Sequence, residues 1–236
     1  MGRFYGHFRV FLRAVGWQCS VLCSKKSAIM IPEELKRYIE TEIIPRYNDF
    51  DKGHNISHAR TVIEESLTLA AGYPEVNPAM AYTVAAYHDT GMCKDRKTHH
   101  IVSGEILVAD RNLRKWFTEE QIQIMKEAVE DHRASSDHEP RSIYGKIVAE
   151  ADRLINEDTV FRRAVQYGLK QNPGADIEWH YKRFNDHMEE KYAPGGYLKL
   201  WIPGSKNETK LKELQAVIAD KTELRKRFER IFAEEN

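Results

Sequence analysis

Four side chains that commonly bind metals fall where the helical pattern of the chain calls for apolar residues. These side chains are His58, His88, Asp89 and Asp152. His88 follows Ala85 by three positions, and Asp152 follows Val148 by four. Residues three or four positions apart share one face of a helix, so both side chains are expected to point into the interior.

A buried carboxylate without a partner costs several kcal/mol, so Asp89 and Asp152 together require a counter-charge. A divalent cation that accepts carboxylate oxygen and neutral imidazole nitrogen supplies it, which suits Mn, Fe, Co, Ni or Zn better than Ca. The pattern therefore predicts a divalent transition-metal site. Taken singly, His58 or His132 is better explained as a hydrogen-bonded core histidine, and it is the occurrence of these residues together that favours a metal site.

The elements that must position these residues are helices, because apolar residues recur with helical period and strand patterns are scarce. We therefore predict an all-α fold. The apolar stripes run over 35–43, 59–70, 80–85, 101–108, 122–129 and 147–155. Thr118 and Gln121 form a capping-box pattern before the fifth stripe. Later helices are predicted near Asp158, near Asp176 and after Ser205, the last running as one helix through Phe232.

Length and charge limit the classes of protein to which this chain can belong. The chain has 236 residues, which suits one helical domain over 30–236, with a motif core at about 50–160 and a helical extension over 161–236. Lys+Arg and Asp+Glu are both 36, so stable nucleic-acid binding is not expected. No apolar run is long enough to predict a membrane span. The apolar face of the last helix would also suit an oligomer.

Two features near the start of the chain bear on its location. Residues 1–29 contain basic but no acidic residues, and we interpret them as a basic tail or a non-native start, with a targeting peptide as the alternative. The three cysteines, Cys19, Cys23 and Cys93, do not form a disulfide framework. A reducing cytoplasm is therefore the expected location.

The ligand residues, in their order along the chain, resemble the HD superfamily of metal-dependent phosphohydrolases. That pattern is a histidine, an adjacent His-Asp pair and a distant Asp, each on a separate helix of one bundle. Here it is carried by the segments 53–62, 85–91 and 149–154. The resemblance implies an HD-type helical bundle in which His58, His88, Asp89 and Asp152 bind the metal. His54, one turn before His58, is left as a group near the substrate or a loop residue.

Two further segments are similar to the two-metal branch of this superfamily. His100 precedes Gly104 by four residues, as in the cyclic-dinucleotide phosphodiesterases, and His132 occupies the place of the next ligand. The resemblance thus implies a second ion on His100 and His132, bridged by Asp89. A single ion, with both histidines binding phosphate, is the alternative. Met92 and the missing Gly-Tyr-Pro signature make cyclic di-GMP an unexpected substrate.

The activity implied by the resemblance is hydrolysis of a small phosphate ester or anhydride, with a nucleotide as the expected substrate. Asp89 would be both ligand and proton acceptor, and Arg96 the preferred catalytic and phosphate-binding cation. Lys94, Arg133 and Arg153 are further expected substrate-binding residues, each also explicable as a surface charge. Lys191 and His187 are candidates to close the site. Two alternatives stay open, a di-iron oxygenase with the same fold and a nucleotide-binding regulator without activity.

Overall fold

A computed structural model describes Gly2 and residues 30–50, 53–136 and 138–236. Apart from Gly2, the predicted basic tail over 1–29 lies outside the described residues, as do Cys19 and Cys23. Within the described ranges the regular structure is entirely helical, which confirms the predicted all-α fold. None of the helices in these ranges combines the length and the apolar character needed to cross a bilayer.

Ten α-helices follow one another along the described chain. They are α1 (Glu33–Tyr38), α2 (Ile56–Ala70), α3 (Pro78–Tyr87), α4 (His99–Ala109), α5 (Glu119–Glu130), α6 (Ile143–Asp152), α7 (Glu157–Gln171), α8 (Ile177–Tyr192), α9 (Lys206–Ala219) and α10 (Lys221–Glu235). A π-helical turn, Ile39–Ile43, and a 3-10 turn, Ile44–Asp49, extend α1. Two more 3-10 turns, Thr90–Cys93 and Arg111–Lys115, follow α3 and α4.

Side-chain caps explain where several helices begin. The predicted capping box is confirmed: Thr118 accepts from the Gln121 N–H, and the Gln121 side chain accepts from the Thr118 N–H. The single last helix predicted from the sequence is wrong. The Asp220 side chain accepts from two backbone N–H groups, which ends α9 and starts α10.

The helix α3 is the centre of the metal-ligand half of the molecule. Every residue over 79–87 is buried, and α2, α4, α5 and α6 all pack against α3. Because α3 is enclosed on all sides, the two residues directly after it, His88 and Asp89, are also buried. Asp152 is the last residue of α6, and His132 follows the end of α5. The ligand-type side chains are therefore grouped at helix ends around α3.

Apolar side chains form two main clusters among the described residues. One contains residues between Leu35 and Ala151, and the other residues between Ile155 and Ile231. The second cluster is built by α7, α8, α9 and α10. The division into a motif core at about 50–160 and an extension over 161–236 stays a prediction.

Candidate metal centre

His58, His88 and Asp152 meet at one point, although they come from three helices separated along the chain. The Nε2 atoms of His58 and His88 lie 3.2 Å apart. Asp152 Oδ1 lies 3.2 Å from His58 Nε2 and 3.9 Å from His88 Nε2. The atoms of this first ligand set are close enough together to hold one metal ion.

A second group forms beside the first from Asp89, His99 and His132. The Nε2 atoms of His99 and His132 lie 3.1 Å apart. Asp89 Oδ1 lies 3.3 Å from His99 Nε2 and 3.5 Å from His132 Nε2. All three residues are buried, and these atoms are also close enough to hold an ion.

Asp89 joins the two sets through its two oxygens. Its Oδ2 lies 3.2 Å from His88 Nε2 and 3.5 Å from His58 Nε2, whereas its Oδ1 faces His99 and His132. This is the arrangement of a carboxylate that can bridge two ions.

The sequence predicted His100 as a ligand of the second ion. In the structure, His99 is the residue that lies beside Asp89 and His132. Its ring lies on the face of α4 that also carries the buried Ser103 and Leu107, at four-residue spacing. The next face carries His100 and Gly104, and Gly104 packs against Glu130 of α5. The sequence does not separate the two histidines, because His99 has this spacing to Ser103 and His100 has it to the buried Gly104.

Backbone carbonyls hold three of the imidazoles in one orientation. Ala85, Arg96 and Val129 each offer a carbonyl oxygen to Nδ1 of the histidine three residues later, at 2.7, 2.7 and 2.6 Å. An Nδ1–H donated in this way leaves the Nε2 lone pair for a metal. The Nε2 atoms that converge on Asp89 are therefore oriented as ligands.

Two backbone contacts fix the segment that carries the His-Asp pair. The Asp89 N–H donates to the buried Tyr47 hydroxyl at 3.2 Å, and that hydroxyl donates to the Ala86 carbonyl at 3.0 Å. The Gly91 N–H donates to Ser103 Oγ at 2.8 Å, which ties the turn after α3 to α4. A Cβ on Gly91 would lie 2.1 Å from the His99 carbonyl oxygen, so this approach requires glycine.

The charges in the cluster stabilise the ionised acids. Burial disfavours the Asp89 carboxylate, but His88, His132 and His58 hold its pKa well below the usual range. Burial likewise opposes ionisation of Asp152, and His58 and His88 lower its pKa. Burial also opposes a charge on His58, but Asp152 and Asp89 raise the pKa of its imidazole to about 9.

His99 behaves differently from His58. Burial and the neighbouring His132 lower the pKa of His99 to about 4, which favours the neutral ring that a metal binds.

The donor atoms fit a divalent transition metal. The nitrogen and oxygen atoms of each set lie so close together that their lone pairs repel one another. A proton between two of these atoms offsets one repulsion, whereas a cation among all three atoms offsets every one. The donors are imidazole nitrogen and carboxylate oxygen, and the described residues contribute no cysteine to either set. This is the chemistry that Mn, Fe, Co, Ni and Zn accept.

A cavity of about 500 Å³ opens beside the first set and is lined in part by His58 and Asp152. The Asp152 side chain is 26% exposed, whereas that of Asp89 is 3% exposed, so the cavity reaches the cluster through Asp152. Of the four predicted substrate-binding residues, Arg96 and Arg153 line it. Lys94 is exposed and lies outside the lining.

Arg133 lies on another face of the cluster, where its guanidinium donates to the Lys97 carbonyl at 2.7 Å. It lines a separate cavity together with His100 and Glu130.

Helices α7 and α8 contribute cavity-lining cations beyond those predicted from the sequence. These are Arg163 and Arg183, and they line the cavity together with Lys191 and His187, the predicted candidates to close the site. The clue available in the sequence was the four-residue spacing of Arg183, His187 and Lys191, which puts them on one face of a helix. Which way that face points depends on how α8 packs.

Part of the chain matches one protein family. The model of the HD domain family matches residues 55–157 of this chain. A search of curated proteins finds no significant match. The chain is similar to the crystal structure of a predicted HD superfamily hydrolase from an uncultured Thermotogales bacterium, with 22% identity and a TM-score of 0.42 over 65% of this chain and 82% of the other.

Proposed function

We propose that the protein is a metal-dependent phosphohydrolase, since residues 55–157 match the HD domain family. Its substrate is a nucleotide or another small phosphate ester or anhydride. One observation carries the proposal: two metal-ligand sets, joined by the contacts of Asp89 Oδ2 with His58 and His88, lie beside a cavity lined by arginine and lysine. A metal beside a cationic cavity suits hydrolysis of a phosphorylated compound.

His58, His88, Asp89 and Asp152 would hold the first ion, and Asp89, His99 and His132 would hold the second. A divalent cation in these sets would supply hydroxide at neutral pH, since such an ion lowers the pKa of a bound water to ~7. Asp152 and His58 line the cavity and therefore face the substrate. The second set is buried behind them.

Arg153 and Arg96 bind the oxygens of the phosphate that is cleaved. Arg153 is 7% exposed and donates through Nη1 to the Ala149 carbonyl oxygen, which holds the guanidinium against α6. Its Nε is buried and has no hydrogen-bond partner among the described residues. A phosphate oxygen is the natural acceptor for such a donor, because guanidinium groups bind phosphate in a planar, two-pronged geometry.

Asp89 acts as the shared ligand. Both of its oxygens face imidazole nitrogens, so the additional proton-accepting role that the sequence suggested is less favoured by this geometry. His54 lines the cavity, with its ring centroid 5.8 Å from that of His58. We assign to His54 the exchange of a proton with the leaving group, since its imidazole lines the cavity beside His58 and can donate or accept a proton.

Tyr167 supports a nucleotide as the substrate. This side chain is 53% exposed, lines the cavity and carries the Arg183 guanidinium 4.7 Å from its ring centroid. An exposed aromatic ring provides a surface on which a base can stack.

The test is a panel of nucleotides and small phosphate compounds incubated with the full chain and Mn²⁺ or Co²⁺. We expect release of phosphate or pyrophosphate from at least one compound. Asp89→Asn should reduce turnover more than ~100-fold, because even groups that only support metal ligands are worth up to that much.

The matched control is Asp186→Asn, which removes an exposed carboxylate that pairs with Lys182 at 2.6 Å. It should leave turnover unchanged. Full activity in Asp89→Asn would refute the proposal, as would a panel without any metal-dependent product.

A di-iron oxygenase is the second candidate, favoured by two groups of metal-ligand side chains that Asp89 joins. It predicts purified protein that contains iron and changes colour with oxygen. Colourless, iron-free protein that hydrolyses a phosphate compound excludes it. Tight nucleotide binding without turnover under every metal would instead support a regulator.

A further inference from the structure

The wall of the cavity beyond Asp152 is built by α7 and α8. Arg183, His187 and Lys191 occupy successive turns on one face of α8, and Arg163 and Tyr167 do so on α7. All five side chains line the cavity. The two helices therefore present their polar rows to the same space.

Among the described residues, no carboxylate lies at ion-pair distance from Arg163, Arg183 or Lys191. Arg163 Nη2 lies 3.4 Å from the Gly53 carbonyl oxygen, and Arg183 Nη1 donates to the Ala164 carbonyl at 2.9 Å. Lys191 Nζ lies 5.0 Å from the Tyr192 ring. By contrast, Arg162, the neighbour of Arg163, pairs with three carboxylates.

The grouping of these cations around one cavity destabilises the protein when no ligand is bound. Burial lowers the pKa of Lys191 and of Arg183, because it removes water from their charged groups. Like charges that face one cavity also repel one another. A bound anion would offset both costs, so the grouping indicates a ligand with negative charge in this part of the cavity.

The row of side chains on α8 is long enough to extend past the phosphate that we propose binds beside Asp152. Lys191 interacts electrostatically with Asp152, Arg153, Arg163 and Arg96, which line the same cavity. Arg183 lies two turns earlier on α8, which is ~12 Å along the helix axis. A single phosphate group is shorter than this row of side chains.

We propose that Arg163, Arg183 and Lys191 form a second anion-binding subsite, and that the substrate carries two or more phosphate groups. This inference rests on the proposed function, in which one phosphate binds beside Asp152. The further phosphates extend along the α7–α8 wall toward Arg183.

The test is isothermal titration calorimetry of the metal-free full chain with inorganic tripolyphosphate and, separately, with inorganic phosphate. Wild-type protein should bind tripolyphosphate more tightly than phosphate. The double variant Arg163→Gln/Arg183→Gln should bind tripolyphosphate at least ~10-fold more weakly, since charge-assisted hydrogen bonds are lost. Its affinity for phosphate should change little.

Lys182→Gln is the matched control, because Lys182 is an exposed cation on the same helix and lies outside this cavity. It should bind tripolyphosphate like wild type. Arg163→Lys/Arg183→Lys keeps the charges and should restore much of the affinity. This variant also separates a lost subsite from a disturbed fold, because Arg183 contacts α7.

Unchanged tripolyphosphate binding in Arg163→Gln/Arg183→Gln would overturn the inference, as would equal affinity of wild type for the two probes. These outcomes differ from failure of the proposed function, which would appear as an absence of metal-dependent hydrolysis. Asp89→Asn should keep tripolyphosphate binding while losing hydrolysis.

Discussion

The Nε2 atoms of His99 and His132 lie 3.1 Å apart, and each ring is held at Nδ1 by the carbonyl three residues before it. Two imidazoles held this way present lone pairs to the same point, where Asp89 Oδ1 also lies. The pair thus forms the buried half of a centre whose other half lies beside the cavity.

His99 and His100 are adjacent in sequence but differ in their expected effect on metal content. His99→Ala should weaken binding at the second set by more than ~100-fold, beyond what supporting groups contribute. His100→Ala should keep both ions, because His100 lies on another face of α4. Elemental analysis of the two purified variants measures this, and equal metal loss in both would contradict the assignment.

Metal removal should destabilise the fold. A ligand that binds only the native state adds about 2.7 kcal/mol at a concentration 100 times its Kd. The midpoint of thermal unfolding should therefore fall after dialysis against EDTA and rise again with Mn²⁺ or Co²⁺. Asp152→Asn should show a smaller rise. An unfolding midpoint of the wild-type chain that does not change with metal would contradict the assignment of the two ligand sets.

Gly91→Ala should disrupt both stability and the second set. The added Cβ would lie 2.1 Å from the His99 carbonyl oxygen and 2.7 Å from the Ser103 nitrogen, so α4 must move. Overpacking of this kind costs about 1–3 kcal/mol. Chemical denaturation together with metal analysis measures the change. Gly174→Ala is the control, since nothing lies within 4 Å of its added Cβ.

Glu150 should stabilise the loop beside α6. Its carboxylate accepts from Ser205 Oγ at 2.5 Å and from the Trp201 N–H at 2.7 Å, and the side chain is fully buried. Glu150→Leu should lower the free energy of unfolding by about 2–5 kcal/mol, since each orphaned buried donor costs about 1–3 kcal/mol. Glu213→Gln, on an exposed pair, should change it little in the same urea titration.

Asp110 should make stability depend on pH. Burial opposes its ionisation, but the hydroxyls of Tyr38 and Tyr87, at 2.5 and 2.6 Å, lower its pKa. A carboxyl with a lowered folded pKa stabilises the fold above its unfolded pKa of ~3.9, and the effect disappears as pH falls through the folded value.

The matched variant is Asp110→Ala, which should unfold about 1–3 kcal/mol more easily than wild type at neutral pH. The difference should shrink as the pH drops below ~4. Urea unfolding across this range measures it, and a difference that grows at low pH would show the opposite linkage.

Local pattern alone predicted the helices and the types of ligand at several positions. The apolar stripes indicated which faces are buried, so the polar residues on them, such as His88 and Asp152, stood out. The capping box at Thr118 could be predicted because both of its partners lie within one turn. Such features depend on residues three or four positions apart, and the sequence shows that spacing directly.

The tertiary structure alone decided which side chains meet. His99 and His100 begin a helix whose rotation depends on contacts of α4 with α5 and with the Gly91 turn, so sequence order could not separate them. Arg163 and Arg183 face the cavity because α7 packs against α8. Convergence of distant residues depends on how helices pack, and the period within one helix contains no information about its neighbours.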